Sequence, residues 1–434
     1  MPTADFHAEF PNRSQLERLQ LAKLRSLGEA ILPANPFYAR KIGATPASLS
    51  CQTREEFARR IPFTAKSEIV ADQLAHPPYG TNLTFPPAAY ARCHQTSGST
   101  SVPIAWLDTP ESWSRLVDNW VQILAAAGVT RADRFFFAFS FGPFLGFWSA
   151  FEAVLRLGNF CVPGGAMSSP ARLQAILHHG VTVLCCTPTY ARHLGETVRE
   201  ANLDPRRSRV RLIIVAGEAG GSIPSTRSQI ESLWPGATVF DHHGMTEVGP
   251  VSFQCPAQPG VLHLLESAYL PEVVHPQTGE PVAPGETGEL VLTTLDRVGS
   301  PLLRYRTGDL VKARPPGGCA CGRHELACEG GILGRADDMV IVRGVNVYPS
   351  LIEQIVRSHP GISEYRVTLD ARHAMAELAL EAETAANGFE TTVLQKDLEQ
   401  SLETALNLRV PVQLRPPGTL PRFEMKARRW IRVG

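Results

Sequence analysis

A chain of 434 residues is long enough for more than one core, and two domains is the expectation from length alone. Lys plus Arg and Asp plus Glu both number 42, so the formal net charge is zero, which removes the electrostatic case for nucleic acid or an anionic membrane as the main partner. Hydrophobic content of 44% with 19% charged residues is ordinary globular composition, and the start MPTADFHAEF lacks the basic segment and apolar run of a secretory signal. A cytoplasmic chain is the expectation, in which nine cysteines read as thiols or metal ligands and not as a disulfide framework.

Taken in order, residues 14–30 carry Leu16, Leu19, Leu21, Leu24 and Leu27 between charges, which predicts an amphipathic helix ended by Pro33 and Pro36. A strand at 106–109 and a helix at 111–127 follow. The apolar run from Phe135 to Val162 is broken by Gly142, Pro143, Gly146, Glu152, Arg156 and Gly158, so it predicts a buried strand at 135–140, a turn and a core helix at 147–157, not a membrane span. Strand 160–162, helix 170–179, strand 181–186, a helix from Pro188 and strand 211–216 continue the alternation. Strands alternating with helices of about ten residues predict an α/β fold with mainly parallel sheets flanked by helices. Strands at 239–241 and 289–294 close this large domain. Helix 350–358, strands 365–369 and 378–380, and helix 393–406 predict a small α+β domain. The expected boundaries are 1–335 and 336–434.

Several turns carry chemistry. Thr96, Ser97, Gly98, Ser99 and Thr100 are consecutive, and glycine admits close backbone approach while successive N–H groups and hydroxyls can cradle an anion. No Lys follows the glycine as in a P-loop, and the same composition also suits a plain surface loop. Phe141, Phe144 and Phe147 follow a strand's C-terminal end, where open α/β sheets bind ligands, so they form either the wall of an acyl pocket or plain core. Gly217, Glu218, Ala219, Gly220 and Gly221 make a second glycine turn after a strand. In Asp241-His242-His243-Gly244-Met245-Thr246-Glu247, a strand runs into a turn that offers a hydroxyl for phosphate and a carboxylate for Mg²⁺. Thr307-Gly308-Asp309 is a turn whose carboxylate can accept both hydroxyls of a ribose, or simply ordinary turn chemistry.

The order and spacing of these segments resemble the adenylate-forming superfamily of acyl-CoA synthetases, peptide-synthetase adenylation domains and luciferases. Ile61-Pro62-Phe63-Thr64-Ala65-Lys66, the segment Gly334-Arg335-Ala336-Asp337-Asp338-Met339-Val340-Ile341-Val342-Arg343-Gly344-Val345-Asn346-Val347-Tyr348-Pro349 and the tail Leu420-Pro421-Arg422-Phe423-Glu424-Met425-Lys426 narrow it to the phenylacetate–CoA ligase branch. The resemblance covers the chain from about residue 35 onward. It implies ATP, Mg²⁺ and coenzyme A: a carboxylate attacks the α-phosphorus of ATP, giving an acyl-adenylate and pyrophosphate, and the thiol then displaces AMP. It implies further that Thr96 to Thr100 cradle phosphates, Thr246 meets the α-phosphate, Glu247 holds Mg²⁺, Asp309 binds ribose and Arg335 lies by ribose and phosphate. Asp241 with His242, or the 217–219 turn, would meet adenine. Lys426 would bridge carboxylate and α-phosphate. Asp337 would be the hinge of a mobile C-terminal domain, and Arg343, Gly344 and Asn346 would line the CoA tunnel. Ser101 stands where the superfamily usually has Gly, and Ile104 where many members have Lys.

An aryl acid is the expected substrate, either phenylacetate-like or a benzoate with amino or hydroxyl groups, with Phe141, Phe147 and His243 around its ring. Loading of a carrier-protein phosphopantetheine uses the same residues and is the alternative, and a catalytically inactive nucleotide-binding protein is a third. Intact Glu247, Asp309 and Lys426 argue against the last. A homodimer is what the resemblance suggests. Finally, Cys319-Ala320-Cys321 sits in one irregular loop and Cys255 with His263 in another. Together they could make a tetrahedral Cys₃His zinc site of structural role, with Cys328 and His324 as competing ligands and unligated thiols as the other reading.

Overall fold

The computed structural model describes residues 10–43, 45, 49–96, 103–200, 207–343, 345–370, 372, 376–385, 390–423 and 427–433. Ser97, Gly98, Ser99, Thr100, Gly344 and Lys426 lie outside the described residues, and only the backbone of Asn346 is described. The chain forms two compact units, one of Met1–Ala166 with Phe240–Gly331, the other of Met167–Val239 with Ile332–Gly434. No described helix is long and apolar enough to cross a membrane.

The first unit opens with helix Arg13–Ile31, two residues longer than the leucine pattern alone suggests because Asn12 and Gln15 cap it reciprocally, at 3.0 and 2.8 Å. Its buried face is Leu16, Leu24, Leu27 and Ile31. Strands Arg92–Gln95 and Ala105–Asp108 form an antiparallel pair on either side of the segment 96–104. Thr109 does not extend the strand; its hydroxyl caps helix Pro110–Ala126 at Ser112 N. Strand Arg134–Phe137 runs parallel to Phe160–Pro163, joined through helix Trp148–Arg156. Phe135, Phe136 and Phe137 are fully buried, as a strand covered on both faces requires.

Two antiparallel sheets follow in this unit. Tyr269–Val274, Thr287–Thr294 and Tyr305–Lys312 pair in sequence order. Ser252–Gln254, Val261–Leu264 and Ala327–Glu329 make a second sheet. Thr64 joins the Tyr305 strand, its N–H donating to Arg304 O and its C=O accepting from Arg306 N, both at 2.9 Å.

In the second unit, Val183–Cys186 and Leu212–Val215 are parallel with helix Pro188–Glu200 between them. The C-terminal part is a four-stranded sheet in the order Val412–Arg415, Glu377–Thr384, Ile362–Asp370, Trp430–Val433, with helices Pro349–Arg357 and Thr391–Leu406. Its core gathers Ile352, Val356, Val367, Leu380, Leu398 and Leu402. Val340–Val342 and Val345–Val347 form a hairpin around Arg343, whose φ is 50°.

One buried ion pair ties the first unit together. Arg297 donates from Nε and Nη2 to both oxygens of Asp108 at 2.6 Å, and from Nη1 to Thr246 O at 2.9 Å. The two side chains are 2% and 0% exposed, so removing one partner strands a charge away from water. Arg297→Ala is expected to cost about 3–5 kcal/mol. A shift in the urea midpoint corresponding to less than about 1 kcal/mol, small by the same scale, would show that the pair does not hold the unit.

Candidate active site

Three of the expected residues, Thr246, Glu247 and Asp309, lie in the first unit, the first two on a turn after a strand and the third within one. Strand Thr238–Asp241 leads to the turn that presents Thr246 and Glu247. Arg297 holds the Thr246 carbonyl, so the turn is braced from below by a buried guanidinium. Glu247 is buried, yet its Oε1 accepts from Tyr305 Oη at 2.8 Å and lies 3.8 Å from Lys66 Nζ. A carboxylate in this setting can carry one hard cation among phosphate and water oxygens. Lys66 reaches it because the Thr64 backbone is laced to the Arg304 and Arg306 backbone.

Lys66 and Tyr305 were not legible as site residues. They lie far from Glu247 in sequence, and no spacing rule links them to it. Ile104 is buried.

Asp309 sits on a bulge in strand Tyr305–Lys312, where the register shifts opposite Glu289 to Val291. Gly308 has φ 76° and donates to Glu289 Oε1 at 3.1 Å, and Asp309 N donates to Thr307 Oγ1 at 3.0 Å. The Asp309 carboxylate meets His243 Nε2 at 3.0 Å. Asp241 and His242 are buried beside this turn, Asp241 N donating to Gln254 Oε1 and His242 Nδ1 meeting Ser252 O at 2.6 Å. Burial pushes the His242 imidazole down to about 3, so it is neutral and donates from Nδ1.

The phenylalanines form one cluster. Phe147 is buried against Phe137, Phe139 and Trp120 at ring distances of 5.9, 5.6 and 5.9 Å. Trp120 in turn lies 4.3 Å from His242. Phe141, at φ 48°, contacts Phe139 and Trp148 at 5.2 and 4.8 Å. Gly146 is required here: its φ is 39°, and a Cβ would stand 1.9 Å from the Phe139 ring. Thr96 spends its hydroxyl on the loop neck, accepting from Ile104 N at 3.0 Å while its own N–H donates to Ile104 O.

The second unit carries the other group of expected residues. Gly217, at φ 96°, turns the chain so that Glu218 accepts from Thr189 N at 2.9 Å and Ala427 N at 3.0 Å. The residue after Lys426 is thus tied to the glycine turn that contains Ala219. Arg429 extends the attachment, meeting Glu364 at 2.6 Å and Thr189 Oγ1 at 3.4 Å. Burial raises the Glu364 carboxyl, but the Arg357 and Arg429 guanidiniums outweigh it and hold the group at about 2. Arg335 forks onto Asp337 at 2.8 and 2.9 Å, and Arg343 pairs with Glu377 at 2.6 Å.

The four zinc-type ligands also converge, in the first unit. Cys255 Sγ and Cys319 Sγ are 3.5 Å apart, Cys321 Sγ is 3.4 Å from His263 Nε2, and all four atoms lie within 4.8 Å of one another. Cys328 and His324 are not in this group. His263 Nδ1 faces Glu325 O at 3.3 Å.

Comparison with known proteins agrees with the geometry. The AMP-binding enzyme family matches residues 61–295, and the AMP-binding enzyme C-terminal domain matches residues 344–432. The phenylacetate-coenzyme A ligase of Thermus thermophilus is 30% identical over 432 residues, covering 95% of each chain. That of Pseudomonas putida is 30% identical over 428 residues, covering 95% of this chain and 93% of its own. The crystal structure of 2-hydroxyisobutyryl-CoA ligase in the postadenylation state with 2-HIB-AMP has a TM-score of 0.92 at 27% identity, covering 100% of this chain and 94% of that one. The same enzyme with 2-HIB-AMP and CoA in the thioesterification state has a TM-score of 0.74 at 29% identity, covering 100% and 94%. The motifs, the two family matches and the near-full-length similarity lead to one assignment: the chain belongs to the AMP-binding enzyme family, in its phenylacetate–coenzyme A ligase branch.

Proposed function

We infer that this protein is an ATP-dependent ligase that joins a carboxylic acid to coenzyme A through an acyl-adenylate. The observation that carries the reading is Glu247, a buried carboxylate facing Tyr305 and Lys66 in the same unit as Asp309. In the first half-reaction the acid's oxygen attacks the α-phosphorus and pyrophosphate leaves. In the second, the thiol sulfur attacks the acyl carbon and AMP leaves. A carboxylate is a weak nucleophile, so the chain's task is to neutralise charge growing on phosphate and to align the reactants. Asp309 takes the ribose hydroxyls, Thr246 hydrogen-bonds the α-phosphate, Glu247 supplies an oxygen ligand for Mg²⁺, and Lys66 contributes the cation that Ile104 does not. Lys426 neutralises charge on the carboxylate and α-phosphate. The 217–219 turn borders adenine. Residues 336–434 act as a separate functional domain with its hinge at Asp337, bringing the Arg343–Asn346 segment into the second half-reaction.

The acid is aromatic in this reading. Phe141, half-buried at the edge of the aromatic cluster, keeps ring surface for it, while Phe147, Trp120 and His242 are buried behind it. The relatives' names support a phenylacetate-like acid, while the solved relatives handle a small hydroxy acid. Release of AMP from ATP across aryl and aliphatic acids, each with and without CoA, tests this. A CoA-dependent thioester from an aryl acid is expected. Pyrophosphate exchange without CoA-dependent turnover would move the acceptor to a carrier protein.

Lys426→Ala is expected to slow acid-dependent pyrophosphate exchange on the order of a hundredfold or more, and Lys66→Ala on the order of tenfold to a hundredfold. Exchange within twofold of wild type in either variant would remove that lysine from the site. Glu247→Gln should raise the Mg²⁺ concentration for half-maximal exchange at least about tenfold, and an unchanged Mg²⁺ titration would leave the metal without this ligand.

Cys255, His263, Cys319 and Cys321 are proposed to hold one structural Zn²⁺. Tetrahedral zinc bonds of about 2.0–2.3 Å put ligand atoms roughly 3.4–3.8 Å apart, which suits the separations around Cys319 and Cys321. The Glu325 carbonyl would fix the His263 tautomer from behind. Metal analysis of the purified protein should give about one zinc per chain by this geometry, lost in Cys319→Ser with a fall in melting temperature. A metal-free wild type of unchanged stability would leave four thiol and imidazole groups merely packed together.

A further inference from the structure

An aspartate side chain turns easily about its last torsion, so a carboxylate that must meet two neighbouring hydroxyls needs something to set its plane. At Asp309 the backbone is already set by the Thr307–Asp309 bulge, through Thr307 Oγ1 to Leu290 O at 2.7 Å and Gly308 N to Glu289 Oε1. The side chain is met by His243, whose Nε2 lies 3.0 Å from Asp309 Oδ2. His243 is itself rigid. Its backbone N–H donates to Ser252 Oγ at 3.1 Å, and its carbonyl accepts from Val251 N and Ser252 N at 2.9 and 3.2 Å.

The imidazole's other nitrogen decides the proton's place. His243 Nδ1 is buried and has no hydrogen-bond partner among the described residues. An unmade acceptor there costs less than a stranded N–H, and Nε2 needs a hydrogen to meet a carboxylate. The ring therefore donates from Nε2 to Asp309 Oδ2. Both groups are mostly buried, with side chains 15% and 7% exposed, so the contact is little screened by water.

We propose that His243 is a positioning residue for nucleotide binding: through Nε2–H it orients the Asp309 carboxylate toward the ribose hydroxyls of ATP and of the acyl-adenylate. This rests on the reading of Asp309 as the ribose acceptor given above. It gives His243 a ribose-side task in place of the acyl-ring contact expected from sequence. His242, one residue earlier, differs in kind, because its Nδ1 is spent on the Ser252 carbonyl and its ring packs on Trp120.

Calorimetric titration with AMP, 2′-deoxy-AMP and 3′-deoxy-AMP tests the proposal without turnover. Wild type is expected to prefer AMP over each deoxy nucleotide by about tenfold or more, the worth of a hydrogen bond to a charged acceptor. His243→Phe keeps a flat ring but no donor. Its preference should shrink to about twofold, with AMP weakened and the deoxy nucleotides nearly unchanged, as if that hydrogen bond were gone. His243→Gln, which restores an N–H donor, should recover most of the preference, and melting curves should show all variants folded. Asp309→Ala provides the reference for complete loss. An unchanged preference in His243→Phe would overturn the proposal. So would equal weakening of AMP and both deoxy nucleotides, which would make His243 a general nucleotide contact. Wild type that binds no AMP at all would instead sink the nucleotide reading of the site.

Discussion

The first unit depends on the Arg297–Asp108 pair. Asp108 ends the strand Ala105–Asp108, and the remaining Arg297 N–H holds the turn carrying Thr246 and Glu247. One guanidinium therefore ties the end of that strand to the Thr246–Glu247 turn. A buried ion pair is a poor source of net stability, because two charges must leave water to form it. Its planar, two-pronged geometry gives position instead, and a lysine could not reproduce the third contact from the same fork. Burial also explains why so polar an arrangement persists: either charge alone would be far worse off than the pair.

The parts legible in the sequence are those where one physical rule dominates. Parallel strands covered on both faces must be apolar throughout, so Phe135–Phe137 and Leu212–Val215 stand out. The helix start at Tyr348-Pro349 showed through its proline, whereas Thr109, which caps the helix from Pro110, reads from sequence as the end of a strand. The turns that carry Thr246, Glu247 and Asp309 were legible because they lie directly after or within strands. The antiparallel strands at 252–254, 261–264 and 327–329 were not, since three- and four-residue strands carry too little alternation to separate from loops. The expected strand 135–140 ends at Phe137 because Phe139 and Phe141 pack into the aromatic cluster instead. The 430–433 strand was hidden as well, because it is an edge strand of mixed polarity paired in parallel to a segment about sixty residues earlier.

Long-range polar contacts within each unit were the least legible feature of the chain. Lys66 with Glu247, His243 with Asp309 and Glu218 with Ala427 join residues that no local pattern connects. The cysteine cluster marks the boundary of what spacing can do. Cys319 and Cys321 are a pair on sequence alone, but their meeting with Cys255 and His263 depends on the short sheet that fixes both loops. That sheet pairs Val261–Leu264 with Ala327–Glu329 and so brings the two loops side by side.

The Glu218 bridge has a consequence for how firmly, and how reversibly, the chain after Lys426 is held. Ala427 and Arg429 meet the 189–218 region through hydrogen bonds, from Ala427 N to Glu218 and from Arg429 to Thr189. Hydrogen bonds are specific in direction, yet each group can exchange its partner for water at small net cost. An apolar seal of the same extent would resist parting in proportion to the surface exposed. The attachment therefore defines one seating for the chain after Lys426 by the direction of its polar contacts and not by an apolar seal.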